Sequence, residues 1–279
     1  MKLRGRLGGV LGIAMTVIFE RRSSASAIWA RRLALFSAVL LVTSTAGHRF
    51  GLIASVPFLS LLGITVVLAL IALVLAAVGF AMLWEYGDRG GRASTRAVLI
   101  AVAVLLPFAV AVYQLFTLPR LTDISTDTLD PPEFRRATAL RTSDMNPIGR
   151  ISTADADAQV AYYPAATGRR YPLPIDRAHD IVSAVLENLG WTIIRNPGLQ
   201  LEANEITIEA LARSPVFGFV SDVAIRIVDE GETSYVDVRS VSRYGSHDLG
   251  DNAAKVARFY DGVEAEILVR NAPIIQQAD

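Results

Sequence analysis

The sequence predicts an α-helical membrane bundle of three transmembrane helices, followed by an α+β domain with an antiparallel sheet and two helices. Three observations carry this. Three uncharged apolar runs lie within the first 119 residues: Leu33–Gly47, a stretch inside Phe50–Trp84, and Ala97–Leu118. The formal net charge of zero hides a split: residues 1–119 hold 11 of the 27 Lys+Arg and 3 of the 27 Asp+Glu, and the remainder hold 16 and 24. The second part alternates strand-like runs with tight turns and contains two stripes of helical period. A basic, apolar front and an acidic, polar back belong in different solvents. The expected division is 1–119 as membrane anchor and 120–279 as a separate domain.

The N-terminus offers two readings. Lys2, Arg4 and Arg6 precede an apolar run from Leu7 to Phe19, with Ala25-Ser26-Ala27 resembling a cleavage site. Arg21, Arg22, Arg31 and Arg32 then form a collar before the first span, which favours an uncleaved N-terminus or translation from Met15. A span needs about 20 apolar residues to cross a hydrocarbon core about 30 Å thick. The second and third runs reach that, with Pro107 a potential kink in the third. The first is short and spans if Arg32 and Arg49 snorkel at its two ends.

Arginine placement orients the bundle. The collar and the loop bearing Arg89, Arg92 and Arg96 are basic, whereas the loop between the first two spans carries only Arg49. The positive-inside rule puts the basic segments in the cytoplasm and delivers residues 120–279 to the other side. The spans contain no charge that would mark a transport pathway. They read as an anchor packed through small residues such as Gly63, Ala76, Ala77 and Gly79.

Beyond the third span, Pro119–Pro132 is rich in Asp, Thr and Pro and reads as extended. The region to Thr153 lacks periodicity and is expected to wrap the domain as an ordered arm. Ala158–Tyr163 alternates weakly and is expected as a short strand. A helix opens near Asp176, the expected cap. It buries Ala178, Ile181, Val182, Val185, Leu186 and Leu189, and ends at Gly190. Trp191–Arg195, Glu205–Ala212, Val220–Val228 and Tyr235–Arg243 read as strands. Asn196-Pro197-Gly198 and Asp229–Glu232 are turns. A last helix runs from Asp251 to Leu268, with Val256, Phe259, Tyr260, Val263 and Ile267 on its apolar face.

Strand alternation sorts the side chains of residues 220–252. Val223, Ile225, Ile227, Val236 and Val238 share one face. Asp222, Arg226, Asp237, Arg239 and Arg243 share the other, which is expected to be free if both helices cover the apolar side. Two readings follow for these five: a cross-strand ion-pair lattice on a solvated surface, or Arg forks for a carboxylate or phosphate. The turn Tyr244–Asn252 adds His247, Asp248 and Asn252. Its glycines and helix start suit an anion, but Asp248 is also placed to cap the helix. No catalytic residue is assigned and no metal site is expected. The chain has no cysteine, and His48, His179 and His247 are scattered. No serine triad, P-loop or dinucleotide fingerprint is present. No cofactor is expected, and no nucleic-acid partner.

Asp123-Ile124-Ser125-Thr126-Asp127, Asp130-Pro131-Pro132, Tyr163-Pro164, Gly218-Phe219, Asp222–Arg226, Val236-Asp237-Val238-Arg239-Ser240-Val241-Ser242-Arg243 and Asp248-Leu249-Gly250-Asp251-Asn252 together resemble the family called domain of unknown function fourteen-ninety-nine, over about residues 120–270. The three-span front is similar to a membrane-anchored bacterial branch of it. The family pattern often has two acidic residues where this chain has Ser221-Asp222, which weighs against a carboxylate pair for metal. The resemblance implies no established activity. The expectation is a bacterial inner-membrane protein with a periplasmic binding or structural domain. Its expected partners are the lipid bilayer and either an envelope protein or an anionic small molecule. The alternative is an enzyme acting on an envelope lipid or glycan precursor, with Arg239, Arg243, His247 and Asp248 at its site.

Overall fold

The computed structural model describes residues 24–86, 89–198 and 204–271; the Leu7–Phe19 run lies outside them. Among the described residues three helices are long and apolar enough to cross a membrane: α1 (Ala25–Arg49), α2 (Ser55–Tyr86) and α3 (Gly91–Thr117). Helix α1 absorbs Arg31 and Arg32 into its first turns, so the short apolar run sits inside a helix of 25 residues. Helix α3 continues through Pro107.

The chain divides into two compact units, Met1–Ser37 with Leu68–Ala103, and Ala38–Val67 with Val104–Asp279. In the first, Ala27, Ala30, Ala72, Ala76 and Ala97 are fully buried. Gly79 faces Ala27 and Ser94 so closely that a Cβ would overlap them. Small residues therefore let the helices approach. Gly63 has open space where a side chain would project, so it does not share that role, and Ala77 is exposed.

The second unit holds an antiparallel six-stranded sheet made from β1 (Asp123–Ser125), β2 (Arg169–Tyr171), β3 (Thr192–Arg195), β4 (Glu205–Arg213), β5 (Val220–Asp229) and β6 (Ser234–Ser242). The order is β1-β6-β5-β4-β3, and β2 pairs with the other end of β6. Helices α6 (Ile175–Asn188) and α7 (Asp251–Asn271) cover one face. Val182, Val185, Leu186, Phe259, Tyr260 and Val263 pack there on Ile206, Ile208, Val223, Ile225, Ile227, Val236 and Val238. Gly190 ends the α6 turn at φ +66°, a conformation that favours glycine. Asp176 sits in the first turn of α6, while the cap position is Pro174 and carries no side-chain bond. The carboxylate thus acts on the helix dipole and does not cap.

Two further expectations change. Residues Ala158–Tyr163 fall mainly in a helix, α5 (Thr153–Tyr162). Ser152 caps it by accepting the Asp155 N–H at 3.1 Å, and its hydroxyl donates to the Asp155 carboxylate. A capped run rich in alanine outweighs a weak alternation of period two. The second change concerns the opposite sheet face, which is not solvated. The arm of residues 126–150, with the short helix α4 (Arg136–Leu140), lies over it. Phe134 and Ala137 of the arm bury Ala224 and Val241, with Ile148 and Ile194 packed alongside.

Within this same unit the β4–β5 turn lodges among helix ends. His48 stacks on Phe58 with ring centroids 4.3 Å apart. Its Nδ1 lies 2.8 Å from the Phe217 carbonyl and its Nε2 3.0 Å from Ser55 Oγ. Phe217 also meets Phe108 of α3, and Arg49 donates to the Pro215 carbonyl at 3.1 Å.

Candidate functional site

The arginines and aspartates of β5 and β6 form a lattice, and it is buried. Antiparallel register sets Arg226 directly opposite Asp237. Arg226 Nε and Nη2 donate to Asp237 Oδ2 at 3.1 and 2.6 Å, and Nη1 donates to Asp130 of the arm at 2.8 Å. Burial works against the Arg226 charge, but the Asp237 and Asp130 carboxylates outweigh it and hold the guanidinium pKa above its ordinary value. Asp222 is fully buried and takes two guanidiniums. Arg243 clasps it at 3.1 and 2.7 Å, and Arg141 reaches from the arm at 2.8 Å. Burial lowers the Arg141 pKa, with Asp222 opposing the shift. Arg239 clasps Asp123 of β1 at 3.1 and 2.7 Å, donates to the Gly149 carbonyl at 2.6 Å and lies over the Phe134 ring.

Each of these forks is therefore occupied by carboxylates of the same chain. Asp123, Asp130 and Arg141 come from the exit segment and the arm, and their partners come from β5 and β6. The lattice is a clasp that fixes residues 123–150 over the sheet. Glu209, which the sequence reading did not single out, belongs to it. Fully buried, its carboxylate accepts the N–H groups of Arg135, Arg136 and Ala137 at 3.1, 3.0 and 2.8 Å. An acidic residue on the Asp222 face of a neighbouring strand was the available signal.

The turn before α7 performs a second clasp. Asp248 accepts the Gly250 and Asn252 N–H groups at 3.0 Å each, so it caps the helix. Burial pushes its pKa up, and those two N–H groups partly restore it. His247 accepts the Leu249 N–H on Nδ1 at 2.9 Å, and Nε2 faces the Leu118 carbonyl at 3.3 Å. Both ring nitrogens thus serve the backbone. Asn252, fully buried, accepts from Ser240 Oγ at 2.8 Å and donates to the Thr122 carbonyl and to Ser242 Oγ at 3.0 and 2.9 Å. With the Asp248 N–H on the Leu121 carbonyl at 2.9 Å, the turn holds the chain as it leaves α3. The eight predicted residues thus divide between two structural clasps: Asp222, Arg226, Asp237, Arg239 and Arg243 grip the arm, while His247, Asp248 and Asn252 grip the exit segment.

Lys255 was also missed. It is 1% exposed, donates to Ser221 Oγ at 3.0 Å and pairs with Asp251. Burial lowers its pKa, with Asp251 opposing. Its place one turn before Phe259 on the buried stripe was readable from helical spacing.

Two clefts flank the clasps. One, about 370 Å³, is lined by Asp130, Glu133, Arg135, Arg195, Glu205 and Arg226. Arg226 is spent on Asp237 and Asp130, and Arg195 donates to the Thr207 carbonyl at 2.8 Å. The other, about 320 Å³, is lined by Arg120, Thr122, Asp123, Gly149, Arg150 and Asp155. Among the described residues no group of three or more His, Cys, Asp or Glu is placed to hold a metal.

Among solved structures the chain is similar to TTHA0849 from Thermus thermophilus, at 12% identity over 38% of this chain and 97% of that one, with a TM-score of 0.22. No curated protein matches it. The model of the family described as "Protein of unknown function (DUF1499)" matches residues 123–263, a span that opens on the β1 carboxylate clasped by Arg239 and closes on the α7 face of the core. The chain belongs to that family, as a member carrying three helices able to cross a membrane.

Proposed function

We propose that this protein is a bacterial plasma-membrane protein whose residues 120–279 form an extracytoplasmic module that binds or supports and does not catalyse. The observation that carries the reading is the occupation of the Arg226, Arg239 and Arg243 guanidiniums by carboxylates of their own chain, which supports reading the motif as a brace for the arm. The arginine asymmetry around the spans supports the placement outside. The alternative, an enzyme for an envelope lipid or glycan precursor, needs the corner between Arg239 and Asp248 to admit substrate. At that corner the Arg239 fork is already taken up by Asp123 and the Gly149 carbonyl, and Asn252 by the exit segment.

Two reporters fused after Asp279 test the placement, one active only in the cytoplasm and one only outside it. Activity of the outside reporter alone is expected. Activity of the cytoplasmic reporter inverts the topology and removes the envelope role.

A further inference from the structure

The smaller cleft differs from the larger in its balance of free charge: in the larger, Glu133 and Glu205 outnumber Arg135, whereas in the smaller cations are left over. Arg120 spends only its Nε, on the Ser246 carbonyl at 3.2 Å. Arg150 lines the same cleft and is exposed. Among the described residues neither forms an ion pair. Of the two acids present, Asp123 is neutralised by Arg239. Asp155 stands at the start of α5, bonded to Ser152. Two guanidiniums against one uncompensated carboxylate leave the cleft net positive.

Its location narrows what it fits. Arg120 lies three residues beyond the end of α3 at Thr117. The last turns of α3 expose Tyr113 and Phe116 at 69% and 83%, and such aromatics sit at the headgroup level of a span. We propose that this cleft holds the phosphate of an anionic phospholipid headgroup, with the acyl chains along the final turns of α3. This rests on the reading of α1–α3 as membrane spans. Guanidinium forks match phosphate oxygens, and arginines next to a span attract anionic headgroups electrostatically within a Debye length.

The test uses the full chain in detergent, titrated with phosphatidylglycerol or with phosphatidylcholine of the same acyl chains, bound lipid being counted by native mass spectrometry. Phosphatidylglycerol is expected to bind about fivefold more tightly, the scale of roughly one surface arginine's attraction to an anionic lipid. R120A/R150A is expected to abolish the preference, and R135A/R136A, which removes equal charge elsewhere, to keep it. R150A alone is expected to weaken it. Among the described residues the Arg150 side chain makes no hydrogen bond, so a fold defect in the double variant does not blur the result. Equal binding of the two lipids, or a preference surviving R150A and R120A/R150A, overturns the proposal. Displacement of the lipid by excess glycerol 3-phosphate also overturns it, in favour of a soluble phosphate ligand. Both lipids reach the protein from solution here, so the outcome is independent of which side the domain occupies in cells.

Discussion

The two faces of the sheet are covered by different physics. On the α6/α7 side, aliphatic and aromatic side chains interlock around Phe259 and Tyr260. On the arm side a small apolar cluster of Phe134, Ala137, Ala224 and Val241 is ringed by forked ion pairs. The first cover is non-directional and tolerates adjustment. The second is directional, and each charge depends on its partner, because a buried ion left alone costs far more than the pair contributes. An irregular arm without a stripe of its own offers little apolar surface, here Phe134 and Ala137, and the ion pairs add direction to that contact. The arginines and aspartates on that face of β5 and β6 supply such directional partners for the arm.

The contrast can be broken most severely at Asp222. D222A strands Arg141 and Arg243, both nearly buried. It is expected to cost about 3–5 kcal/mol and to free residues 126–150 for hydrogen exchange while α6 and α7 stay protected. F259A is expected to cost a similar ~3–5 kcal/mol through its cavity, with exchange rising in α7 first. The same exchange pattern in both variants would mean that the two covers do not act separately.

A pH series sharpens the comparison at Lys255, a charge placed on the apolar side. Its folded pKa lies below the ordinary 10.5, so the unfolded chain binds more protons between the two values. Stability should therefore rise with pH through that window, from its folded pKa toward about pH 10, above which the tyrosines intervene. Burial raises Tyr163 and Tyr171 to about 12, so above about pH 10 the folded phenols hold protons that the unfolded chain has lost, and the slope turns downward there. K255M should flatten the rise, as read by thermal unfolding of the full chain at successive pH values. The smallest effect is expected at the Arg170–Glu230 pair, which is solvent-exposed. R170A should leave the unfolding midpoint unchanged, because screening and side-chain entropy cancel the attraction.

The α6/α7 face follows from the sequence almost residue by residue. Val182, Val185, Leu186, Val256, Phe259 and Val263 recur at helical spacing, and β4–β6 alternate cleanly, so both periods expose their buried side. The sorting of Asp222, Arg226, Asp237, Arg239 and Arg243 onto one face follows from the same alternation. What covers them does not, because contacts such as Arg239 with Asp123 join positions 116 residues apart and arise from no local pattern. Strand β1 has only three residues, too few for a period to show. The α5 helix was hidden by Tyr162-Tyr163 at its end, where aromatic bulk imitates a strand. The role of His247 does not follow either, because its partners are main-chain groups close by and in the exit segment.

Five residues separate the end of α3 from the start of β1. A stretch that short extends no further than about 20 Å, and Asn252 and Asp248 shorten the leash further by binding it down. With α3 in a bilayer, the sheet is therefore kept at the shoreline of the lipid.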